Sequence, residues 1–181
     1  GSLNLQLPPR CQILIIGSGA AGLTAAVMAA EAGIKDIVVL EKEPIVGGSS
    51  MISGGQWAVS ETELQRRNGI LDTDSIFYAD MLRIGKNRND PQLVKKLIQV
   101  SREQYNWVLE HGVAPLALSA ASGMSRPRAH TFDAVAVMNL LLRMAARHNI
   151  PIITGARATE LLMSNGTVHG AAVEYAGSHQ R

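Results

Sequence analysis

Apolar and polar positions follow a few distinct rhythms along this chain, and each predicts a different element. The run Ile13-Leu14-Ile15-Ile16 is continuous, largely β-branched and followed by glycine, the pattern of a strand buried on both faces. Residues 20–32 are rich in Ala, Leu and Met, which favour helix, and Gly33 supplies a C-terminal stop. Ile37 to Leu40 repeats the buried-strand pattern, so residues 13–40 predict a βαβ unit with a right-handed crossover. Pro44 to Gly55 is Gly/Ser-rich and shows no period.

Residues 60–86 are polar and partly helical, with Asp72, Thr73 and Asp74 offering caps ahead of Ile76. Asp90-Pro91 marks a helix start, with Asp at the cap and Pro at the first helical position. Leu93, Val94, Leu97, Ile98 and Val108 are expected on one buried face of that helix, which ends at Gly112. Val113 to His130 reads as a loop. Thr131 to His148 is the most amphipathic segment, with Val135, Met138, Leu141, Leu142 and Ala145 opposing Arg143 and Arg147. Three short β runs follow at 152–154, 158–163 and 168–175, and Asn165-Gly166 between the last two predicts a tight hairpin.

Composition narrows the class. A chain of 181 residues is long enough for one domain with its own core, and 46% hydrophobic with 18% charged residues excludes a disordered chain. A net charge of +2, without a basic run, gives no reason to expect nucleic acid. Cys11 is the single cysteine, so an internal disulfide and a cysteine-ligated metal are excluded, and structural burial is its default role. His148, His169 and His179 show no ligand spacing, so no metal site is expected. His111 sits at a helix end, where capping is the natural role. No apolar run approaches the roughly 20 residues of a membrane span. Gly1-Ser2-Leu3-Asn4 does not resemble a signal peptide, so the expected compartment is the cytoplasm, or the periplasm if a leader has been removed.

The chemistry begins at Gly17-Ser18-Gly19-Ala20-Ala21-Gly22, between the first strand and its helix. Gly17 permits a tight turn, Gly19 lets a diphosphate approach the backbone, and Gly22 lets the helix pack close to the strand. The helix N-terminus offers unpaired N–H groups and a partial positive charge. Glu41 ends the second strand, where its carboxylate is expected to accept both ribose hydroxyls and to disfavour a 2′-phosphate. A dinucleotide site is the expectation; the alternative is a glycine-rich turn that binds nothing.

A second glycine loop follows, Gly47-Gly48-Ser49-Ser50 and Ser53-Gly54-Gly55. A nicotinamide site does not need it, whereas backbone approach to a flavin ring does. Here "EKEPIVGGSSMISGGQWAV" resembles the FAD-dependent fumarate reductase and succinate dehydrogenase flavoproteins. So do "NGILDTDSIFYADMLRIGKNRNDPQLVKKLI", "SRPRAH" and "RATELLMSNGTVHGAAVE", which are similar to the soluble branch with fumarate reductases, urocanate reductases and 3-ketosteroid dehydrogenases. The resemblance implies an α/β, Rossmann-like FAD-binding fold with a parallel sheet plus a β-hairpin, incomplete relative to the family. Residues 1–181 would form the FAD-binding portion, with the substrate-capping domain absent.

The same resemblance implies roles for residues. Ser18 and Ala21 join Gly17, Gly19 and Gly22 at the diphosphate, and Glu41 and Lys42 flank the adenosine ribose. Gly48, Ser49 and Ser50 reach the diphosphate and ribityl chain, although the family's common Asn is Ser49 here, with shorter reach. Gly54 and Gly55 lie beside the flavin ring, and the Ala158 backbone touches adenine. Trp57 packs either beside the flavin or in the core. The implied reaction moves hydride between flavin N5 and a C=C or CH–CH bond of a small substrate, and implies a redox partner. No proton donor is identified: Arg128 and His130 are the nearest polar candidates, and the competing reading makes them a loop pair that hydrogen-bonds backbone. Two alternatives stay open, a non-catalytic FAD-binding module and an NAD-binding dehydrogenase domain.

Overall fold

The computed structural model describes residues 6–181; the Gly1–Asn4 stretch considered above lies outside them. In chain order the elements are β1 (Ile13–Ile16), α1 (Ala20–Glu31), β2 (Ile37–Leu40), α2 (Gly48–Met51), β3 (Gln56–Ala58), α3 (Glu63–Arg67) and α4 (Asp74–Ile84). Then come α5 (Pro91–Glu110), β4 (Ala117–Ser119), β5 (Ala129–Thr131), α6 (Ala134–Arg147), β6 (Ile152–Ile153), β7 (Ala156–Ser164), β8 (Thr167–Tyr175) and β9 (Ser178–Gln180). They fall into two compact units. Among the described residues, unit 1 joins those up to Ile52 to Leu141–Arg181, and unit 2 is Ser53–Leu140.

Unit 1 carries the expected βαβ. β1 and β2 pair in parallel from Ile13↔Ile37 to Ile16↔Leu40, and β6 joins β2 at Val39↔Ile152, giving the order β1-β2-β6. α1 buries Leu23, Ala26 and Val27 completely. Its approach to β1 is set by Gly22, where an added Cβ would stand 2.0 Å from the Gly17 carbonyl oxygen. A second sheet, β7-β8-β9, is antiparallel. Its turn has positive φ at both Asn165 (49°) and Gly166 (75°), the conformation a two-residue hairpin needs to match strand twist. Val38, Leu40, Ala156, Ala171 and Val173 form a shared core between these sheets.

Unit 2 is built on the antiparallel sheet β3-β5-β4 and on α4 and α5, which bury Phe77, Val94 and Ile98. Side chains close its helix starts. Thr62 and Gln65 form a reciprocal capping box at α3, Thr73 accepts the Ile76 N–H, and Asp90 accepts from Gln92 and Leu93 ahead of Pro91. Each such cap is worth about 1 kcal/mol.

Three expectations are corrected. The aperiodic stretch 44–55 contains the single turn α2, and the loop assigned to 113–130 contains β4 and the start of β5. On α5, Val94, Ile98 and Val108 are buried, but Leu93 and Leu97 are 69% and 48% exposed. Adjacent positions on a helix are about 100° apart, so the pairs 93/94 and 97/98 cannot share one narrow face.

Candidate cofactor site

In unit 1 the glycine turn is fastened by bonds within the chain itself. Gly17, at φ 108°, donates its N–H to the Leu40 carbonyl at 2.8 Å, joining the ends of β1 and β2. Gly19 follows in extended conformation as the α1 N-cap, with no side chain to fill the cap and no acidic residue in the first turn. The Ala20 N–H is taken by Ser50 Oγ at 3.0 Å, while Ala21 is exposed at the helix start. A Cβ on Gly19 would face Ser50 Oγ at 3.4 Å, so the missing side chain keeps open the gap between the turn and the Gly47–Ser50 loop.

Ser18, expected at the diphosphate, is completely buried. Its N–H donates to Glu41 Oε2 at 3.1 Å, its hydroxyl donates to the same oxygen, and its Oγ accepts the Gly47 N–H at 3.1 Å. Both Ser18 donors are therefore spent inside the protein. One serine thus ties the glycine turn, the end of β2 and the second glycine loop together. Glu41 Oε1 also accepts the Glu43 N–H at 2.9 Å. Burial alone would push the Glu41 carboxyl up, but these three hydrogen bonds outweigh it and hold the group below its ordinary range. Three of the roughly four acceptor sites of a carboxylate are filled, leaving room for one further donor.

The remaining unit 1 positions follow from this clasp. Lys42, Gly48 and Ser49 are exposed around it. The Ala156 N–H donates to the Glu41 carbonyl at 2.9 Å, which seats the start of β7 on the same strand end. The β7–β8 ladder then jumps from Ala158↔Val173 to Glu160↔Ala172, so regular pairing breaks directly beside Ala158. A helix start whose N-cap is glycine, a side-chain-free gap and an oriented carboxylate fit the diphosphate and ribose of a dinucleotide.

In unit 2, Gly54 is exposed and Gly55 holds φ +71°. Gly55 approaches so closely that an added Cβ would lie 2.0 Å from the Phe132 carbonyl oxygen, while Phe132 donates its N–H to the Gly55 carbonyl at 2.9 Å. Trp57 donates Nε1–H to Ser101 Oγ at 2.7 Å and packs against Tyr105 and Phe132. Arg128 and His130, the two polar candidates for catalysis, are both fully buried. Arg128 grips Asp72 with Nε–H and an Nη2–H at 2.9 Å each and Asp80 with Nη1–H at 2.6 Å, its guanidinium lying over Phe77. His130 has Nδ1 2.8 Å from the Arg128 carbonyl and Nε2 2.8 Å from Thr62 Oγ1, which fits a neutral ring with its proton on Nδ1. The polar side-chain atoms of both residues engage protein partners, as the backbone-bonding reading expects of a loop pair. No sequence pattern joined Arg128 to Asp72 and Asp80, because the partners lie 56 and 48 residues away.

These burials set a pH response. Burial lowers the His130 pKa from 6.5, so below pH 6.5 the unfolded chain takes up a proton that the folded ring resists, and stability falls. Arg102, hydrogen-bonded to Asp74, holds that carboxyl at about 2 against an ordinary 3.8; its stabilisation is present above 3.8 and is lost as pH falls toward 2. Urea midpoints are expected to decline below pH 6.5 and more steeply below 3.8. His130→Gln should abolish the first decline and Arg102→Met should shallow the second; variants with wild-type profiles would refute these assignments.

Among the described residues, no helix is long and apolar enough to cross a membrane, and no His/Cys/Asp/Glu cluster is arranged to hold a metal. The chain matches the family described as FAD binding domain over residues 12–181. It is 30% identical over 172 residues to the NADH:fumarate oxidoreductase of Klebsiella pneumoniae, covering 92% of this chain and 18% of that protein. Against the fumarate reductase (cytochrome) of Shewanella frigidimarina it is 32% identical over 168 residues, covering 90% and 29%. The chain therefore spans less than a third of the length of these relatives. Among solved structures, the open conformation of a flavocytochrome c3 fumarate reductase superposes with a TM-score of 0.85 at 28% identity, over 90% of this chain and 30% of that one. A match across nearly the whole chain, on a fold that assembles the expected glycine turn and acidic strand end, shows that the protein belongs to the FAD binding domain family, with FAD as its cofactor.

Proposed function

We propose that this chain is the FAD-holding portion of a flavin-dependent oxidoreductase that acts on a C=C or CH–CH bond of a small unsaturated substrate, in the manner of fumarate reductase. The observation that carries this reading is the Ser18–Glu41–Gly47 clasp beneath a helix start whose N-cap is glycine, in a chain 30–32% identical to two fumarate reductases. FAD supplies the hydride chemistry when bound. The chain's own residues bind and orient. Gly17, Gly19, Ala21 and Gly22 present the α1 N-terminus to the diphosphate, with Gly48, Ser49 and Ser50 on its other side. Glu41 takes a ribose hydroxyl beside Lys42; the expectation of two narrows to one, because protein donors occupy its other acceptor sites. The Ala158 backbone, beside the bulge, serves adenine, and Gly54 and Gly55 serve the ring edge. The reading includes a redox partner, since reduced flavin must be regenerated.

Reconstitution with FAD followed by gel filtration should leave flavin absorption bands on the protein; a colourless protein overturns the binding assignment. Glu41→Ala is expected to weaken FAD binding at least about tenfold, the value of a charge-assisted hydrogen bond, and unchanged affinity would sink the ribose role. In the longer protein, fumarate, urocanate and acrylate are the substrates to test against chemically reduced flavin. Failure of all three to reoxidise it would refute the C=C reading and leave FAD binding intact.

A further inference from the structure

α5 has a second apolar stripe that its own unit leaves uncovered. Leu93, Leu97 and Val100 are 69%, 48% and 37% exposed, and the half-buried Gln104, its Nε2 enclosed, ends the line. Spacings of four, three and four residues are those of the d and a positions of a coiled coil. The stripe lies beside the buried face of Val94, Ile98 and Val108, so one flank is closed by the core. The open flank carries exposed Lys96 and Glu103, one heptad apart and opposite in sign.

That charge pattern selects an occupant. In a two-fold antiparallel pair of α5 helices, Leu97 of each copy meets Val100 of the other and Leu93 meets Gln104. This register sets Lys96 against Glu103 of the second copy, twice by symmetry. A parallel pair would instead set Lys96 against Ser101, whose hydroxyl is engaged with Trp57 and the Ala58 carbonyl, and would form no ion pair. We propose that α5 is a self-association surface, with a second copy of this chain docked antiparallel along Leu93, Leu97 and Val100. Three apolar residues per copy make a small contact, so association in the range of roughly 1–100 µM is expected.

Sedimentation velocity of the FAD-reconstituted chain should show a mass near twice 19.3 kDa at high concentration, dissociating on dilution. Leu97→Glu, at an exposed position, should be monomeric throughout with an unchanged urea midpoint. Lys96→Glu and Glu103→Lys should each weaken association at least about tenfold, because each places like charges together at both contacts. An equimolar mixture of the two variants should restore it, since every contact then pairs opposite charges. A monomeric wild type, association that survives Leu97→Glu, or a mixture that fails to recover would each overturn the proposal.

Discussion

Replacing Arg128 with methionine is expected to destabilise unit 2 by about 3–5 kcal/mol, the cost of breaking a buried charge network from one side. The side chain is completely buried and makes a two-point contact with Asp72 plus a third bond to Asp80. Methionine fills much of the volume but leaves Asp72 without its cation and Asp80 with Arg83 alone. Asp72 keeps Gln65 as a donor, and Asp80 keeps Arg83 and Ser125. Burial alone would push the Asp80 carboxyl up; Ser125 and the Arg128 and Arg83 guanidiniums instead hold it well below its usual range, and removing Arg128 gives part of that shift back. Lysine should rescue little, because a point charge cannot reproduce the fork. Urea unfolding with an unchanged slope is the measurement, and a loss under about 1 kcal/mol would show the network to be ornamental.

Gly22→Ala is expected to cost at least about 100-fold in FAD affinity, the size of loss that about 1 Å of misplacement produces in catalytic rate. The added Cβ would stand 2.0 Å from the Gly17 carbonyl oxygen and 3.2 Å from Ile15 Cγ2. Backbone cannot yield as a flexible side chain would, so α1 must move off β1 and the turn must open. Folding stability should fall by about 1–3 kcal/mol as well, the usual penalty of overpacking. Gly170→Ala is the control: its Cβ would meet only Leu162 Cδ1 at 3.8 Å, and both stability and flavin affinity should stay close to wild type. Retained flavin affinity in Gly22→Ala would mean the turn does not set the diphosphate position.

What the sequence disclosed is what it encodes locally. β1 and β2 appear at their expected boundaries because four consecutive apolar residues bounded by turns carry their own signal. Asp90-Pro91 and Asn165-Gly166 were legible for the same reason: each dictates its own dihedral angles. β3, β4 and β5 were not legible. Each has three residues, and β3 finds β5 across 75 positions, so no window along the chain contains the pair. Ser18 shows the same division within the site. Its presence in the glycine turn pointed to the cofactor, but its hydroxyl turns inward to Glu41 and Gly47, partners 23 and 29 residues distant. Ser50 as the acceptor for the Ala20 N–H is a similar case. Loop composition pointed to the glycine turn; the bonds that fasten it required three dimensions.

The order β1-β2-β6 has a consequence during synthesis. β2 ends at Leu40 and its second neighbour begins at Ile152, with all of unit 2 encoded between them. At typical translation speeds the ribosome needs roughly 6–20 s to cover that interval. Throughout it, the nascent chain carries an apolar β2 edge whose partner has not yet been made, and the unit 2 segment is completed at Leu140, before Ile152 emerges. The β1-β2-β6 sheet of unit 1 therefore closes only after the whole unit 2 segment has been made, and chaperone protection of residues 37–40 would matter most in those seconds.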